Sequence, residues 1–210
     1  SLGIFLDGYN KERVDCEKII MTSSDAVTTS SKFEEDMIKK NYKIDSTKIK
    51  HITPGVDTEI FTPDSTIKRE NIILSIGRIQ EQKGQIHTIK FLDNLRKVEK
   101  NFLCYFIGGP SGKFGIEYLD ELKKIVIDLN LESHVEFLDN LPQTKIRDLL
   151  NKSKLLIHTS KFETFGLVAA EANAMGVPVL TTNNGSLLEI VESDKNGYYS
   201  ENLIDGNVNN

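Results

Sequence analysis

Two short apolar runs, at 154–159 and 177–181, enclose a segment rich in small residues, and this arrangement constrains the fold most. Each run has the composition of a short β-strand, and the segment from Gly166 to Met175 has that of a helix. A strand, a helix and a second strand in this order predict a βαβ unit with parallel strands. Because ligands of such sheets bind at the carboxyl ends of the strands, we expect a site in the loop that follows the first run.

Two glutamates of this segment have different surroundings. Glu163 lies in the loop that leaves the first strand, whereas Glu171 lies inside the helix. The helix start, at Phe165 to Leu167, offers unpaired N–H donors and partial positive charge, which favour phosphate. Without this pattern both glutamates would be interpreted as surface residues. Beside a phosphate site, carboxylates suit the hydroxyl groups of a sugar or ribose, so the segment suggests a nucleotide sugar.

The stretch resembles the signature of the retaining group-1 (family 4) glycosyltransferases. That signature is a pair of glutamates separated by seven residues, then small residues and a Gly-x-Pro-Val strand entry. Glu163 and Glu171 have this spacing, and Gly176-Val177-Pro178-Val179 matches the strand entry. The resemblance implies the GT-B fold of two Rossmann-like domains, of which this chain holds mainly the carboxy-terminal, donor-binding one.

Two further segments extend the resemblance toward the amino terminus. Pro54–Asp57 and Phe61–Pro63 match the turn and the linker that close the family's amino-terminal domain, although a Pro-Gly turn taken alone is common. The elements before them are too few to bury a core. The resemblance therefore implies a tail of an amino-terminal acceptor domain at 1–57, a hinge at 58–70, a nucleotide-sugar-binding domain at 71–200 and a polar tail at 201–210.

Strand and helix patterns alternate with short loops from 71 to 199, which predicts an α/β fold with a doubly wound parallel sheet. Among the helices we expect one at 32–40 with a capping box formed by Ser31 and Glu34. Two others are expected at 117–129 and 187–192. The last follows Gly185 and Ser186, where the family usually has Gly-Gly, and the turn can still form.

A second charged loop follows the apolar run at 71–76. Arg78 and Lys83 lie there beside Gly77 and Gly84, and such a combination suits a diphosphate, since glycines allow close backbone approach. Taken alone, the two cations would more often be surface charges, and the loop is neither a dinucleotide fingerprint nor a P-loop. The resemblance implies that both cations bind the donor diphosphate.

The resemblance implies a complete set of site residues. Catalytic roles fall on Glu163, Arg78 and Lys83, with Glu163 holding sugar hydroxyls and Glu171 ribose hydroxyls. Glu163 is not assigned as a covalent nucleophile, because spacing alone cannot place it under the anomeric carbon. The implied donor-binding residues are Gly77, Arg78, Lys83, Gly109, Leu138, Glu163, Thr164, Phe165, Gly166, Leu167 and Glu171.

No metal site and no cofactor beyond the donor substrate are expected. The four histidines lack metal-ligand spacing, and the carboxylate pair nearest to an Asp-x-Asp motif, Asp57 and Glu59, lies in the presumed hinge. His51 and His158 lie near predicted strand ends and so near the expected cleft.

The implied reaction transfers a hexosyl group from a UDP- or GDP-linked sugar to an acceptor hydroxyl, with retention of configuration, in polysaccharide, glycolipid or glycoconjugate synthesis. The acceptor is a carbohydrate, a lipid or a protein. Because most of the acceptor domain is missing, we expect this chain alone to bind donor weakly and to transfer little. A nucleotide-sugar-binding module and an epimerase of the same architecture remain alternatives, whereas a nicotinamide oxidoreductase would need a glycine fingerprint that is absent.

Composition limits partners and location. The net charge is -5, and lysines and glutamates are spread rather than clustered, which argues against nucleic acid. No run approaches the roughly 18 apolar residues of a membrane span, and any peripheral membrane contact would come from regions outside this chain. Cys16 and Cys104 lack CxxC spacing, so we expect two free thiols and a cytoplasmic location.

Overall fold

Two parallel sheets organise the chain in a computed structural model that describes residues 11–200 and 203. The expectations for 1–10 and for the tail at 201–210 lie outside the described residues, except at Leu203, which is buried. The smaller sheet pairs two strands from the amino-terminal part. The larger sheet has six strands and carries the segments that the sequence singles out.

The smaller sheet belongs to the segment before residue 52. Its elements are α1 (Lys11–Ser23), β1 (Val27–Thr29), α2 (Lys32–Tyr42), a 3-10 turn (Ser46–Lys48) and β2 (Ile49–His51). β1 and β2 are parallel, with Val27 opposite Ile49. Its buried apolar residues are few: Val14, Ile38, Tyr42, Ile44 and Ile49.

The larger sheet begins at residue 72 and alternates with helices. Its elements are β3 (Ile72–Ile76), a 3-10 turn (Glu81–Lys83), α3 (Gln85–Leu95), β4 (Leu103–Ile107), α4 (Gly112–Asp128), β5 (Val135–Leu138), α5 (Gln143–Lys152), β6 (Leu155–His158), α6 (Leu167–Ala174), β7 (Val179–Thr181), a 3-10 turn (Gly185–Glu189) and β8 (Gly197–Tyr199).

The strand order of the larger sheet is β5-β4-β3-β6-β7-β8, and every neighbouring pair is parallel. The chain moves outward from β3 in one direction and from β6 in the other. β3 and β6 therefore flank the point at which the strand order reverses, where ligands of such sheets bind. The predicted α/β fold with a doubly wound parallel sheet is confirmed.

Side chains of β3 alternate between the two faces of the sheet, and all five of its residues are buried. Leu74 packs in one cluster with Leu150 of α5 and with buried residues of α6, whereas Ile73 packs in another with Ile89 of α3 and residues of α4. Helices thus cover both faces. Full burial of one such side chain contributes about 1.5–3 kcal/mol, so the two layers hold the loops at the edge of the sheet in place.

The predicted hinge packs against the larger sheet. Phe61 is 2% exposed and lies in the same cluster as Leu74. Downstream, the guanidinium of Arg69 donates hydrogen bonds to the carbonyl oxygens of Leu150, Ser153 and Met175, which lie at the ends of α5 and α6. The assignment of 58–70 as a hinge stays a prediction, and its contacts join this segment to the larger sheet.

Two predicted helices differ in the structure. α4 begins at Gly112 rather than at residue 117. Glycine disfavours a helix, but Gly115 allows close packing here: a Cβ at this position would lie 2.8 Å from the carbonyl oxygen of Ile79. The expected helix at 187–192 is instead a 3-10 turn that begins at Gly185, which has φ +68°.

The expected capping box of α2 forms with one change. The hydroxyl of Ser31 accepts a hydrogen bond from the main-chain N–H of Glu34, as predicted. The carboxylate of Glu34 returns to the N–H and hydroxyl of Ser30 rather than to Ser31. The start of α2 is therefore stabilised by two side chains, those of Ser31 and Glu34.

Candidate functional site

The loops that follow β3 and β6 form one hydrogen-bonded unit, because their strands are neighbours in the sheet. The main-chain N–H of Lys161 donates to the carbonyl oxygen of Gln82 at 2.8 Å. The hydroxyl of Thr159 donates to the carbonyl oxygen of Gly84, also at 2.8 Å. A Cβ on Gly84 would lie 2.2 Å from the carbonyl oxygen of Thr159, so only glycine fits between the loops.

Lys83 and Glu163, both predicted site residues, form an ion pair between these loops. The Nζ atom of Lys83 lies 2.6 Å from Oε2 of Glu163, and their side chains are 20% and 16% exposed. Nε2 of His158 lies 3.1 Å from the same oxygen. Lys83 and His158 therefore both contact Oε2 of Glu163, and neither of these two bonds is made to Oε1.

The environment of Glu163 favours its ionised form. Burial by itself would raise the pKa of this carboxyl, but the hydrogen bond from His158 and the charge of Lys83 outweigh it and lower the pKa to about 2. At neutral pH the group is a carboxylate and can only accept hydrogen bonds. Such a group suits hydroxyl donors.

A third loop holds the main chain of Glu163. The main-chain N–H and the hydroxyl of Ser186 lie 3.2 and 3.1 Å from the carbonyl oxygen of Glu163. A Cβ on Gly185 would lie 2.5 Å from that oxygen. Ser186, which stands where the family usually has a second glycine, therefore still forms the turn and adds a hydrogen bond.

One pocket, with a volume of about 210 Å³, brings four of the predicted residues together. It is lined by Arg78, Gln80, Gln82, Lys83, Phe162, Glu163 and Thr164. A larger pocket of about 470 Å³ lies beside the 185–189 turn, and its lining contains no predicted site residue. The smaller pocket is the candidate site, because it holds the charged groups at the carboxyl edge of the sheet.

The other predicted residues surround this pocket at different places. Phe165 and Gly166, which has φ +91°, lead from it into α6 at Leu167. Glu171 lies further along α6, outside the pocket lining, and is 7% exposed. Burial raises the pKa of its carboxyl.

The glycine-rich turns after β3 and β4 meet beside Arg78. A Cβ on Gly108 would lie 2.2 Å from the carbonyl oxygen of Gly77. The main-chain N–H of Gly108 donates to Leu138, and that of Gly109 donates to the side chain of Asn140. Gly77 and Gly109 therefore lie on adjoining loops, and Leu138 ends β5 at the same edge of the sheet.

Sequence reasoning assigned no site role to two residues that contact Glu163, namely His158 and Ser186. His158 had one usable signal, its position at a predicted strand end. Gln85 was also missed: its side-chain amide donates to the carbonyl oxygen of Arg78 at 2.9 Å.

Three further observations bear on the expected partners. Within 11–200 and at 203, no cluster of three or more His, Cys, Asp or Glu side chains could hold a metal ion, and metal independence stays a prediction. No helix in the same residues combines the length and apolarity needed to cross a membrane. Both cysteines are free, Cys16 exposed and Cys104 buried.

The fold is that of the carboxy-terminal, Rossmann-like half of GT-B glycosyltransferases, which two solved structures share. Anabaena Alr3699/HepE, solved in complex with UDP and glucose, has a similar fold, with a TM-score of 0.82 at 21% identity over 91% of this chain and 54% of its own. Sucrose-phosphate synthase from Thermosynechococcus elongatus gives a TM-score of 0.82 at 24% identity over 95% of this chain and 52% of its own.

The family model for glycosyl transferases group 1 matches residues 57–204, and the chain belongs to this family. A D-inositol 3-phosphate glycosyltransferase from Rhodococcus jostii (strain RHA1) is 29% identical over 90% of this chain and 43% of its own length. The enzyme of that name from Corynebacterium jeikeium (strain K411) is 29% identical over 95% and 51%. The chain thus spans about half the length of the curated relatives it matches.

Proposed function

We propose that this chain supplies the donor-binding half of a retaining hexosyltransferase, which moves a sugar from a nucleoside diphosphate to an acceptor hydroxyl. The observation that carries the proposal is the pocket shared by Arg78, Lys83 and Glu163 at the point where the strand order reverses. Two cations and one carboxylate at this place match the two parts of a sugar nucleotide. Family membership at 57–204 supports the same reading.

In the proposed reaction, negative charge develops on the diphosphate as the bond to the sugar breaks. Arg78, Lys83 and the N–H groups at the start of α6 provide fixed positive charge for that leaving group, and electrostatic stabilisation of this kind is a large part of catalysis. These groups would serve in place of a metal ion. Glu163 would hold sugar hydroxyls, and Glu171 the ribose hydroxyls.

The ammonium of Lys83 and the carboxylate of Glu163 pair at 2.6 Å. In the proposed complex, the diphosphate is a second partner for Lys83, and the sugar hydroxyls are partners for Glu163. The pair thus holds the two charges side by side at the place where the two parts of a donor would bind.

The donor and the acceptor are proposed only as classes. UDP is the first nucleotide to test, because the Anabaena protein of similar fold was solved with UDP. The acceptor hydroxyl belongs to a carbohydrate, a lipid or a protein, and synthesis of a polysaccharide, glycolipid or glycoconjugate in the cytoplasm fits a soluble nucleotide-sugar donor.

The test is calorimetric titration of the chain with UDP, GDP and ADP in the presence of a chelator. We expect selective binding of one nucleotide, with a loss of roughly 1–3 kcal/mol when Arg78→Ala or Lys83→Ala removes a charged hydrogen-bond donor. Lys161→Ala is the matched control, because Lys161 lies in the same pair of loops but pairs with the exposed Glu81. Equal losses in all three variants, or binding only with added metal, would contradict the proposal.

A second candidate is a nucleotide-sugar-binding module without turnover. It accounts for the same observation, because a pocket that holds Arg78, Lys83 and Glu163 can bind a donor with or without turnover. Product analysis with donor and a panel of acceptor hydroxyls separates the two candidates, since the module binds donor and releases no nucleoside diphosphate.

A further inference from the structure

We propose that His158 is a positioning residue that fixes the carboxylate of Glu163 while a donor occupies the site. This inference rests on the proposed function and adds a residue to it. The side chain of His158 is 6% exposed, and its Nε2 atom lies 3.1 Å from Oε2 of Glu163. Its main chain is held in β6, where the hydroxyl of Thr181 donates to its carbonyl oxygen.

The direction of the hydrogen bond follows from the charge of Glu163. An ionised carboxylate has no proton to donate, so the proton between the two atoms belongs to Nε2 of His158. The imidazole therefore donates a hydrogen bond to the carboxylate. Lys83 and His158 are the charged or titratable groups that act on this carboxylate.

Lys83 cannot perform this role alone once a donor binds. Its ammonium is shared between Glu163 and the diphosphate, and a phosphate group draws it away from the carboxylate. His158 is buried and is not among the residues that line the pocket, so its bond does not compete with substrate. It keeps Oε2 in place when Lys83 turns to the phosphate.

The rest of the geometry then defines where Oε1 lies. Ser186 holds the main chain of Glu163 by two hydrogen bonds, and His158 holds one carboxylate oxygen. A side chain fixed at both ends presents its other oxygen to one place. Preorganised acceptors of this kind bind a substrate hydroxyl without losing affinity to reordering.

The test compares two amides at position 158 in the intact protein. In His158→Gln the amide nitrogen reaches the place of Nε2, whereas in His158→Asn it does not. We measure binding of UDP against UDP-glucose and of GDP against GDP-mannose, and use the pair that the wild type binds. We expect His158→Asn to weaken binding of the sugar nucleotide about fivefold or more, with binding of the free nucleotide unchanged and His158→Gln near wild type.

A second measurement is independent of turnover and acceptor. The pKa of the Glu163 carboxyl, followed by carbon-13 NMR, is expected to rise by about one unit in His158→Asn and to stay unchanged in His158→Gln. Only His158→Asn loses the hydrogen bond to the ionised form. Equal behaviour of the two variants in both measurements would overturn the inference and leave the proposed function standing.

The wild-type protein provides a result that needs no variant. Nitrogen-15 spectra of His158 are expected to show a proton on Nε2, and a ring protonated only at Nδ1 would overturn the inference even if both variants fail to fold. If the wild type binds neither these four nucleotides nor ADP, the proposed function fails, and this inference fails with it.

Discussion

Glu189 and Lys32 are joined by a hydrogen bond of 2.9 Å, although they lie 157 positions apart. The carboxylate of Glu189, at the end of the 185–189 turn, accepts from the main-chain N–H of Lys32 and also from that of Phe33, at 2.7 Å. These are the first N–H groups of α2, which lack partners within the helix. The larger sheet thus caps a helix of the amino-terminal segment.

Two other contacts between these parts reach residues beside Glu163. The rings of Phe33 and Phe162 lie 5.4 Å apart, and the hydroxyl of Ser30 lies 3.2 Å from the carbonyl oxygen of Thr164. The amino-terminal segment therefore contacts both sequence neighbours of Glu163. Its position and that of the site loop depend on each other.

Removal of the Glu189 carboxylate should loosen this junction. We expect Glu189→Ala to lower the free energy of unfolding by about 1 kcal/mol, the usual value for a lost helix cap. Glu192→Ala is the matched control, because the carboxylate of Glu192 forms an exposed ion pair with Lys195 and its loss should change stability by less than about 0.5 kcal/mol. Urea-induced unfolding measures both, and equal effects would contradict the capping role.

The fold could be predicted because its signals are local. The five-residue run of β3 is apolar apart from Ser75, and the segment around α6 carries a strand, a turn and a helix in one short stretch. Such runs specify strands without knowledge of the partners. The rules for βαβ units then limit the possible pairing orders, but the return of β6 to pair with β3 is seen only in the structure.

What could not be predicted depends on contacts between distant residues. The sequence around Leu187 has a helical pattern, but the left-handed backbone of Gly185 and the bonds from Ser186 to Glu163 shape it into a tighter turn. The cap from Glu189 to α2 also requires the tertiary structure. The structure brings Arg78, Lys83 and Glu163 to one pocket, and their roles toward a donor stay predictions.

The pH dependence of stability should report on Glu163. Its pKa falls from 4.5 to about 2 in the folded protein, so the carboxylate contributes stability above about pH 4.5, which is lost as the pH falls toward 2. At one pKa unit per 1.4 kcal/mol, we expect Glu163→Gln to cost about 1–3 kcal/mol at pH 7 and progressively less below pH 4.5.

Urea-induced unfolding of wild type and variant across this pH range isolates the effect, because other carboxyls titrate equally in both proteins. Glu81→Gln serves as the control. The pKa of Glu81 is lowered by its bond to Lys161, but that pair is exposed and should contribute less than about 1 kcal/mol. A pH-independent difference for Glu163→Gln would refute the assignment.

Glu171 offers a test of ribose recognition. Glu171→Gln should weaken UDP binding by about 1–3 kcal/mol, since it replaces a charged acceptor for the ribose hydroxyls. Binding of 2′,3′-dideoxy-UDP, which lacks those hydroxyls, should be equal in wild type and variant. Calorimetry gives both values, and an equal loss for the two nucleotides would place Glu171 outside the ribose site.

The thermal stability of Glu171→Gln distinguishes a loss of ribose binding from a loss of folding. Burial raises the pKa of Glu171, so its ionised form costs stability at neutral pH, and this cost disappears as the pH falls below the ordinary carboxyl value. The neutral glutamine avoids the cost. Glu171→Gln is therefore expected to unfold at a temperature no lower than that of the wild type.

Substitutions of Gly185 and Gly112 distinguish the cost of backbone strain from the cost of a steric clash at the site. Both have left-handed backbone, with φ +68° and +66°, but a Cβ on Gly185 would lie 2.5 Å from the carbonyl oxygen of Glu163, whereas a Cβ on Gly112 meets nothing within 4 Å. We expect Gly112→Ala to cost about 1–2 kcal/mol from the backbone alone. Gly185→Ala should cost at least about 1 kcal/mol more, because the turn must move away from Glu163.

The clash at Gly185 should also weaken donor binding, whereas the backbone strain at Gly112 should not. When the 185–189 turn moves, Ser186 loses its two bonds to Glu163, and the carboxylate loses its fixed backbone. We therefore expect Gly185→Ala, but not Gly112→Ala, to bind UDP-glucose more weakly relative to UDP. Chemical unfolding and calorimetry of the two variants measure both quantities. Equal costs with unchanged binding would mean that the close approach of Gly185 to Glu163 has no part in the site.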